Sequence, residues 1–168
     1  LQFIQQNSPN ITVAVLTNGK VRYKPYVRKE LLNADVVLPS LDSAIEGSFQ
    51  KISRPAKELM FEKHIQGLVD FRNEYSGQIW LEVFIIPGYN ANINELNALK
   101  KAFKEIKTDQ IQLNTLECPE TLADIQDASP NDLKNIVDFY IFTFCELIDI
   151  PSIRLNFKSL AFLLRYKF

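Results

Sequence analysis

Four short runs of β-branched and other apolar residues, each closed by a small polar or turn-forming cluster, constrain this chain most. They are Ile11–Thr17, Asp35–Leu38, Ile79–Ile86 and Asp109–Thr115. Each is read as a strand apolar on both sides, which belongs in a parallel sheet covered by helices. The stretches between them carry apolar residues at helical spacing. Val27, Leu31 and Leu32 follow Pro25; a short helix is expected around Ile45 to Ile52 and a longer one from about Ala56 to Tyr75. Asn92 and Glu95 have capping-box spacing ahead of Leu96, Leu99, Phe103 and Ile106. Ser129, Pro130 and Asp132 supply a cap, a first-turn proline and an acid for a last helix running to about Leu147. The result is an α/β chain of four βα units, either an open doubly wound sheet or part of a barrel. Periodicity alone leaves both open.

Composition narrows the function classes. The chain has 168 residues, enough for one domain with a sizeable core, and 46% of them are apolar. Its net charge of −1 comes from dispersed cations and acids, whereas a nucleic-acid surface needs a clustered basic face. Nucleic acid is therefore not an expected partner, although the stretch from Ser152 to Phe168 is basic and aromatic-rich. Two cysteines, Cys118 and Cys145, are too few for a disulfide framework and suit a reducing compartment. With no signal segment and no apolar run of spanning length, a cytoplasmic location without a membrane partner is expected. The sequence begins at Leu1 without Met, inside a helical pattern, and stops at Phe168, so the natural protein is expected to be longer.

In parallel α/β folds, sites are assembled from residues at the carboxyl ends of several strands. Here those ends are Thr17-Asn18-Gly19, Ser40-Leu41-Asp42, Gly88-Tyr89-Asn90 and Asn114-Thr115. Together they describe a pocket, although the same residue types also simply end strands and cap helices. Glu82 is the odd residue of its strand, on one face with Trp80, Phe84 and Ile86. A carboxylate there must be paired or solvated, either by a distant Lys or Arg or in a polar barrel interior. Arg54 could clamp an anion or simply lie on the surface before a helix. His64 reads as a structural residue within its helix, and Cys145 as a core thiol. Cys118, in a loop beside two acids, receives no role. No dinucleotide fingerprint, P-loop, serine-hydrolase elbow or zinc spacing occurs.

Several segments in order resemble a known superfamily. Val13–Gly19, Ala34–Asp42, Phe49–Pro55, Ile79–Asn90, Asp109–Thr115 and Ala128–Leu133 resemble the later strands and loops of radical S-adenosylmethionine (SAM) enzymes, in particular their iron–sulfur oxidoreductases. The resemblance covers roughly residues 1–140. It implies a partial TIM-type (β/α) barrel with parallel strands, truncated at its N-terminal side. Residues 1–148 would be the later barrel and 149–168 a C-terminal extension of unknown role.

By that resemblance the parent enzyme would cleave SAM reductively with a [4Fe–4S] cluster. A 5′-deoxyadenosyl radical would then act on an unidentified small-molecule or other substrate, with an electron donor as partner. The three-cysteine cluster loop is not in this sequence, and Cys118 and Cys145 cannot replace it. The resemblance assigns Ser40 and Asp42 to SAM's ribose or carboxylate, and Gly88 to the turn beside adenine. It assigns the backbone of Leu113 and Asn114 to adenine, and Thr17 and Asn18 to SAM or substrate. Trp80 and Glu82 would face the substrate, and no metal ligand is assigned. Cys118-Pro119-Glu120 stands where relatives often show Arg-Pro-Gly. A non-catalytic α/β binding or interaction module derived from a half barrel is the alternative. An aldolase-like barrel would need a lysine or metal ligands at strand ends, and none is seen there.

Overall fold

The apolar runs do form parallel strands, and their order decides between the two architectures left open. The computed structural model describes residues 2–7, 10–18, 25–55, 59–115, 126–144 and 152–155. In chain order the elements are α1 (Gln2–Asn7), β1 (Ala14–Thr17), α2 (Pro25–Leu31), β2 (Val36–Pro39), α3 (Glu46–Ser53) and α4 (Phe61–Glu74). They continue with β3 (Gln78–Phe84), α5 (Ile93–Ile106), β4 (Gln110–Asn114), α6 (Pro130–Phe144) and β5 (Ser152–Leu155). The strands are arranged β1-β2-β3-β4-β5, and every neighbouring pair is parallel. A doubly wound sheet reverses direction at a switch point. This sheet never does, and it grows outward in one direction as a barrel does.

One core joins alternate strand residues to the helices. Val37, Ile79, Leu81, Val83, Ile111 and Leu113 pack with Leu68 and Phe71 of α4, Leu99 and Phe103 of α5, and Tyr140 of α6. The residues between them in each strand occupy the other, inner face. There the expectation of strands apolar on both sides fails. β4 sets Gln110, Gln112 and Asn114 on the inner face, and β3 sets Glu82 there. Only two positions per strand turn separate the faces, so a polar residue at every second position needs no break in the strand.

The amino ends of the strands are held by side chains that bridge neighbours. Asp35 Oδ2 accepts from the Val13 amide at 2.7 Å and Asp109 Oδ2 from the Ile79 amide at 2.7 Å. Arg72 in turn pairs with Asp109 at 2.8 Å. Buried Arg28 of α2 reaches Glu74 of α4 at 2.8 Å. Its guanidinium is held above its ordinary range by the Glu74 hydrogen bond, against the opposing effect of burial.

Two helix starts were legible and one differs in detail. Ser129 and Asp132 exchange hydrogen bonds at the head of α6, which lowers the Asp132 carboxyl. Asn92 accepts from the amides of Asn94 and Glu95 at 3.1 Å. The Glu95 carboxylate does not complete the box. It turns inward, 1% exposed, to accept from the Ser43 hydroxyl and the Ala44 amide, each at 3.2 Å. It thereby ties the β2–α3 loop to α5.

The long helix begins at Phe61, after Met60 in extended backbone, and Ala56 lies outside the described residues. Arg54 caps the end of α3 with a left-handed backbone (φ 43°), exposed at the surface. His64 is buried in α4 against the Phe49 ring, with centroids 5.3 Å apart. Cys118, Cys145 and Gly19 lie outside the described residues. From the segment 149–168, Ser152–Leu155 joins the sheet beside β4. No helix among the described residues is long and apolar enough to cross a membrane.

Candidate functional site

Register across the sheet builds the site. Trp80 pairs with Gln110, Glu82 with Gln112, and Phe84 with Asn114. Ser40 makes an isolated bridge to Glu82 just past the end of β2. In parallel pairs, residues in register present side chains to the same face. A transverse row therefore runs Ser40, Glu82, Gln112 across the inner face. The Glu82 carboxylate accepts hydrogen bonds from the Asn114 amide and the Ser40 hydroxyl. Half-buried, it is held above the ordinary carboxylate range of 4.5: burial raises it, and the bonds from Asn114 and Ser40 partly offset that. Among the residues whose side chains are described, Glu82 has these two hydrogen-bond donors and no ion pair.

Trp80, one step down the same strand face, donates its indole N–H to Gln78 Oε1 at 3.0 Å, which orients the ring. Ser40, Trp80, Glu82 and Asn114 thus share one face of the sheet. The other candidates serve elsewhere. Asp42 Oδ1 accepts from the Phe84 amide at 2.9 Å, and its carbonyl accepts from Asn90 Nδ2 at 2.6 Å. Asn90 is fully buried and also bonds the Ile86 amide and the Phe84 carbonyl, each at 2.7 Å. This pair shapes the turn after β3, whose Gly88 takes φ +82°. The Leu113 side chain is fully buried in the helix-side core. The Asn114 carbonyl accepts from the Ile85 amide at 2.7 Å. Thr17 ends β1 in register with Pro39, on the parity of the helix side, with its carbonyl accepting from the Ser40 amide at 3.0 Å. Asn18 follows it, exposed.

Gln110 and Gln112 were not singled out from the sequence. Their signal was the alternation Gln110-Ile111-Gln112-Leu113-Asn114 within an otherwise apolar run. A second concavity lies outside the barrel, between α5 and α6. Its volume is about 560 Å³, and Gly88, Ile93, Leu96, Ile136 and Phe139 line it with Asp132 at the rim. Gly88 faces that cavity, and a Cβ built there would meet nothing within 4 Å.

No family model matches the chain. It is 33% identical over 144 residues to a Brachyspira hyodysenteriae protein named GTPase Obg, covering 86% of this chain and 21% of that protein. It is 30% identical over 125 residues to a UPF0026 protein of Helicobacter pylori J99, covering 72% of this chain and 40% of that one. A UPF0026 protein of Methanocaldococcus jannaschii is 29% identical over 106 residues, with 63% and 33% covered. The chain thus spans 21% to 40% of the length of these relatives.

Among solved structures it is similar to a domain of pyruvate-formate lyase-activating enzyme from Bacteroides vulgatus. The TM-score is 0.68 at 14% identity, over 92% of this chain and 88% of that one. Streptococcus suis SuiB bound to S-adenosylmethionine gives 0.67 at 13% identity, over 89% and 34%. A radical SAM methyltransferase from Sphaerobacter thermophilus gives 0.66 at 15% identity, over 86% and 40%. These likenesses show the fold alone, an α/β partial barrel of parallel strands shared with those proteins.

Proposed function

We propose that this chain forms the later part of the barrel of a radical SAM enzyme, with its inner face on the substrate side. The observation that carries this reading is the row Ser40–Glu82–Gln112 inside a singly wound parallel sheet whose other face is packed by α2, α4, α5 and α6. Among the described residues, no three His, Cys, Asp or Glu side chains group to hold a metal. They therefore do not fit a [4Fe–4S] cluster, and its ligands belong to sequence outside these residues.

For SAM the fit is better. The Ser40 hydroxyl, on the inner face, suits a ribose; Gly88 opens instead onto the cavity between α5 and α6, so the turn after β3 would offer a base backbone groups alone. Thr17 and Asn18 would complete that side from the edge strand. Asp42 would act by shaping the turn, since one carboxylate oxygen and its carbonyl are already engaged. Leu113 and Asn114 would offer only backbone. SAM held here beside a cluster ligated elsewhere would supply radical chemistry toward the substrate. What these residues contribute is position: Glu82 and Trp80 orient a substrate on the inner face, and the helix-side core excludes water beneath them. The name GTPase Obg belongs to the Brachyspira relative, and no P-loop sequence occurs in the 168 residues here.

The test is anaerobic reconstitution of the full-length parent protein, with iron counting and assay of 5′-deoxyadenosine after reduction with SAM. Cluster loading and release of the nucleoside are expected. Neither a cluster nor release would overturn the enzyme reading and leave the non-catalytic module.

A further inference from the structure

Glu82 lies midway along the inner face of β3, between Trp80 and Phe84 at two-residue spacing. An ionised carboxylate is an acceptor only, with about four lone-pair sites, and two donors, Ser40 and Asn114, already reach this one. Asn114 is 8% exposed and donates its Nδ2 to Glu82, which fixes the amide: reversed, its oxygen would face the carboxylate. Asn114 Oδ1 is therefore the acceptor left over. It is buried and has no hydrogen-bond partner among the described residues. Unused capacity at this place is thus all of one kind. It accepts hydrogen bonds, it is negative, and Phe84 shares its strand face, in register with Asn114.

We infer that Glu82 and Asn114 Oδ1, on the strand face shared with Phe84, form a recognition site for a cationic N–H donor, a primary ammonium or guanidinium carried by the substrate. The physical reasons are complementary. A half-buried carboxylate gains most from a partner that brings both charge and hydrogen bonds. An aromatic face attracts the same cation through its quadrupole. A neutral amide would satisfy the acceptors and leave the charge uncompensated. This inference deepens the reading of the inner face as the substrate side and rests on it.

Trp80 is the chain's single tryptophan, so its emission reports on this face without a label. The 168-residue chain is titrated with n-butylammonium, n-butylguanidinium and neutral pentanamide, each followed by Trp80 fluorescence. Saturable changes are expected with both cations, at dissociation constants on the order of millimolar for ligands this small, and none with pentanamide. Glu82→Gln, checked for native circular dichroism, should weaken the cations by about tenfold or more. If that variant does not fold, the comparison of cations with pentanamide in the unaltered chain still decides.

Equal response to pentanamide, or unaltered cation binding in Glu82→Gln, would overturn the inference. So would cation binding that appears only in Arg154→Gln. Arg154 stands in register with Gln112, and that result would make it the chain's own cation for the site. A fourth arm adds SAM: displacement of n-butylammonium by SAM would assign the site to the cofactor's ammonium rather than the substrate's. Nucleoside release without a cation response removes the substrate class and keeps the enzyme. A cation response without release does the reverse.

Discussion

Glu82 concentrates the electrostatics of this protein in a single residue. Burial raises its carboxyl above 4.5, and the Asn114 and Ser40 hydrogen bonds recover only part of the cost of ionising it. The native state therefore holds this proton more tightly than the unfolded chain. A group with a raised native pKa contributes stability that is fully present below its unfolded value and is lost as pH rises through the native one. The stability of the wild type relative to Glu82→Gln should accordingly fall as pH is raised from about 4 to about 7. Urea midpoints of the two proteins across that range provide the check. A difference that stays flat or grows with pH would show that Glu82 is not strained by burial. The Asp42–Asn90 pair makes a contrasting point: two polar residues at a strand end, both expected near a ligand or a turn, spend their hydrogen bonds on backbone.

At the scale of elements, the amino-terminal edge of the sheet is where helices are locked to strands. The turn between α4 and β3 gathers Tyr75, Gly77, Arg72 and Asp109. The Tyr75 hydroxyl donates to the Ala34 carbonyl at 2.8 Å, its ring stacks on Phe71 at 4.7 Å, and Arg72 donates to the carbonyls of Tyr75 and Gly77 and to Asp109. Gly77 sits under the Tyr75 ring, so a methyl there would run into the end of that ring and approach the Asp35 carbonyl at 2.9 Å. Neither neighbour yields easily, because each already holds a strand in place. Gly77→Ala should cost about 1–3 kcal/mol, as overpacking in a filled site does, measured by chemical denaturation. Unchanged stability would mean that the turn has room the structure does not show.

For the whole molecule, the sheet has β1 at one edge, and β1 pairs among the described strands with β2 alone. Among the described strands none lies on the far side of β1, and a strand edge of this kind can pair with another chain. The 168-residue chain is expected to self-associate as concentration rises, read by sedimentation velocity across a dilution series. A single monomeric species throughout would show that the edge is covered. The helix side is filled by one continuous core, while the inner side keeps polar groups that a closed, fully apolar interior would not tolerate without partners.

Much of this was legible from local pattern. Apolar runs ending in Asn18, Ser40, Asn90 and Asn114 marked strands and their carboxyl ends, because strand and helix periodicities are properties of neighbours in sequence. Glu82 announced itself as a lone acid in such a run, and the caps at Asn92 and Ser129 followed from residue chemistry at helix starts. What lay beyond reach was everything set by distance across the chain. Whether successive strands add to one side or to both leaves no local trace, so barrel and doubly wound sheet shared one pattern until strand order separated them. Glu82 and Asn114 are 32 residues apart, and their meeting depends on the register of β3 with β4. That register is anchored at its lower end by Asp109 and Thr108, both bonded to the backbone of Ile79. Glu95 left its helix cap for Ser43, 52 residues away, for the same reason. The sequence by itself determined the elements and the polar ends of the strands; only tertiary packing decided which of those polar groups share a face, because register and layer are fixed by long-range contacts.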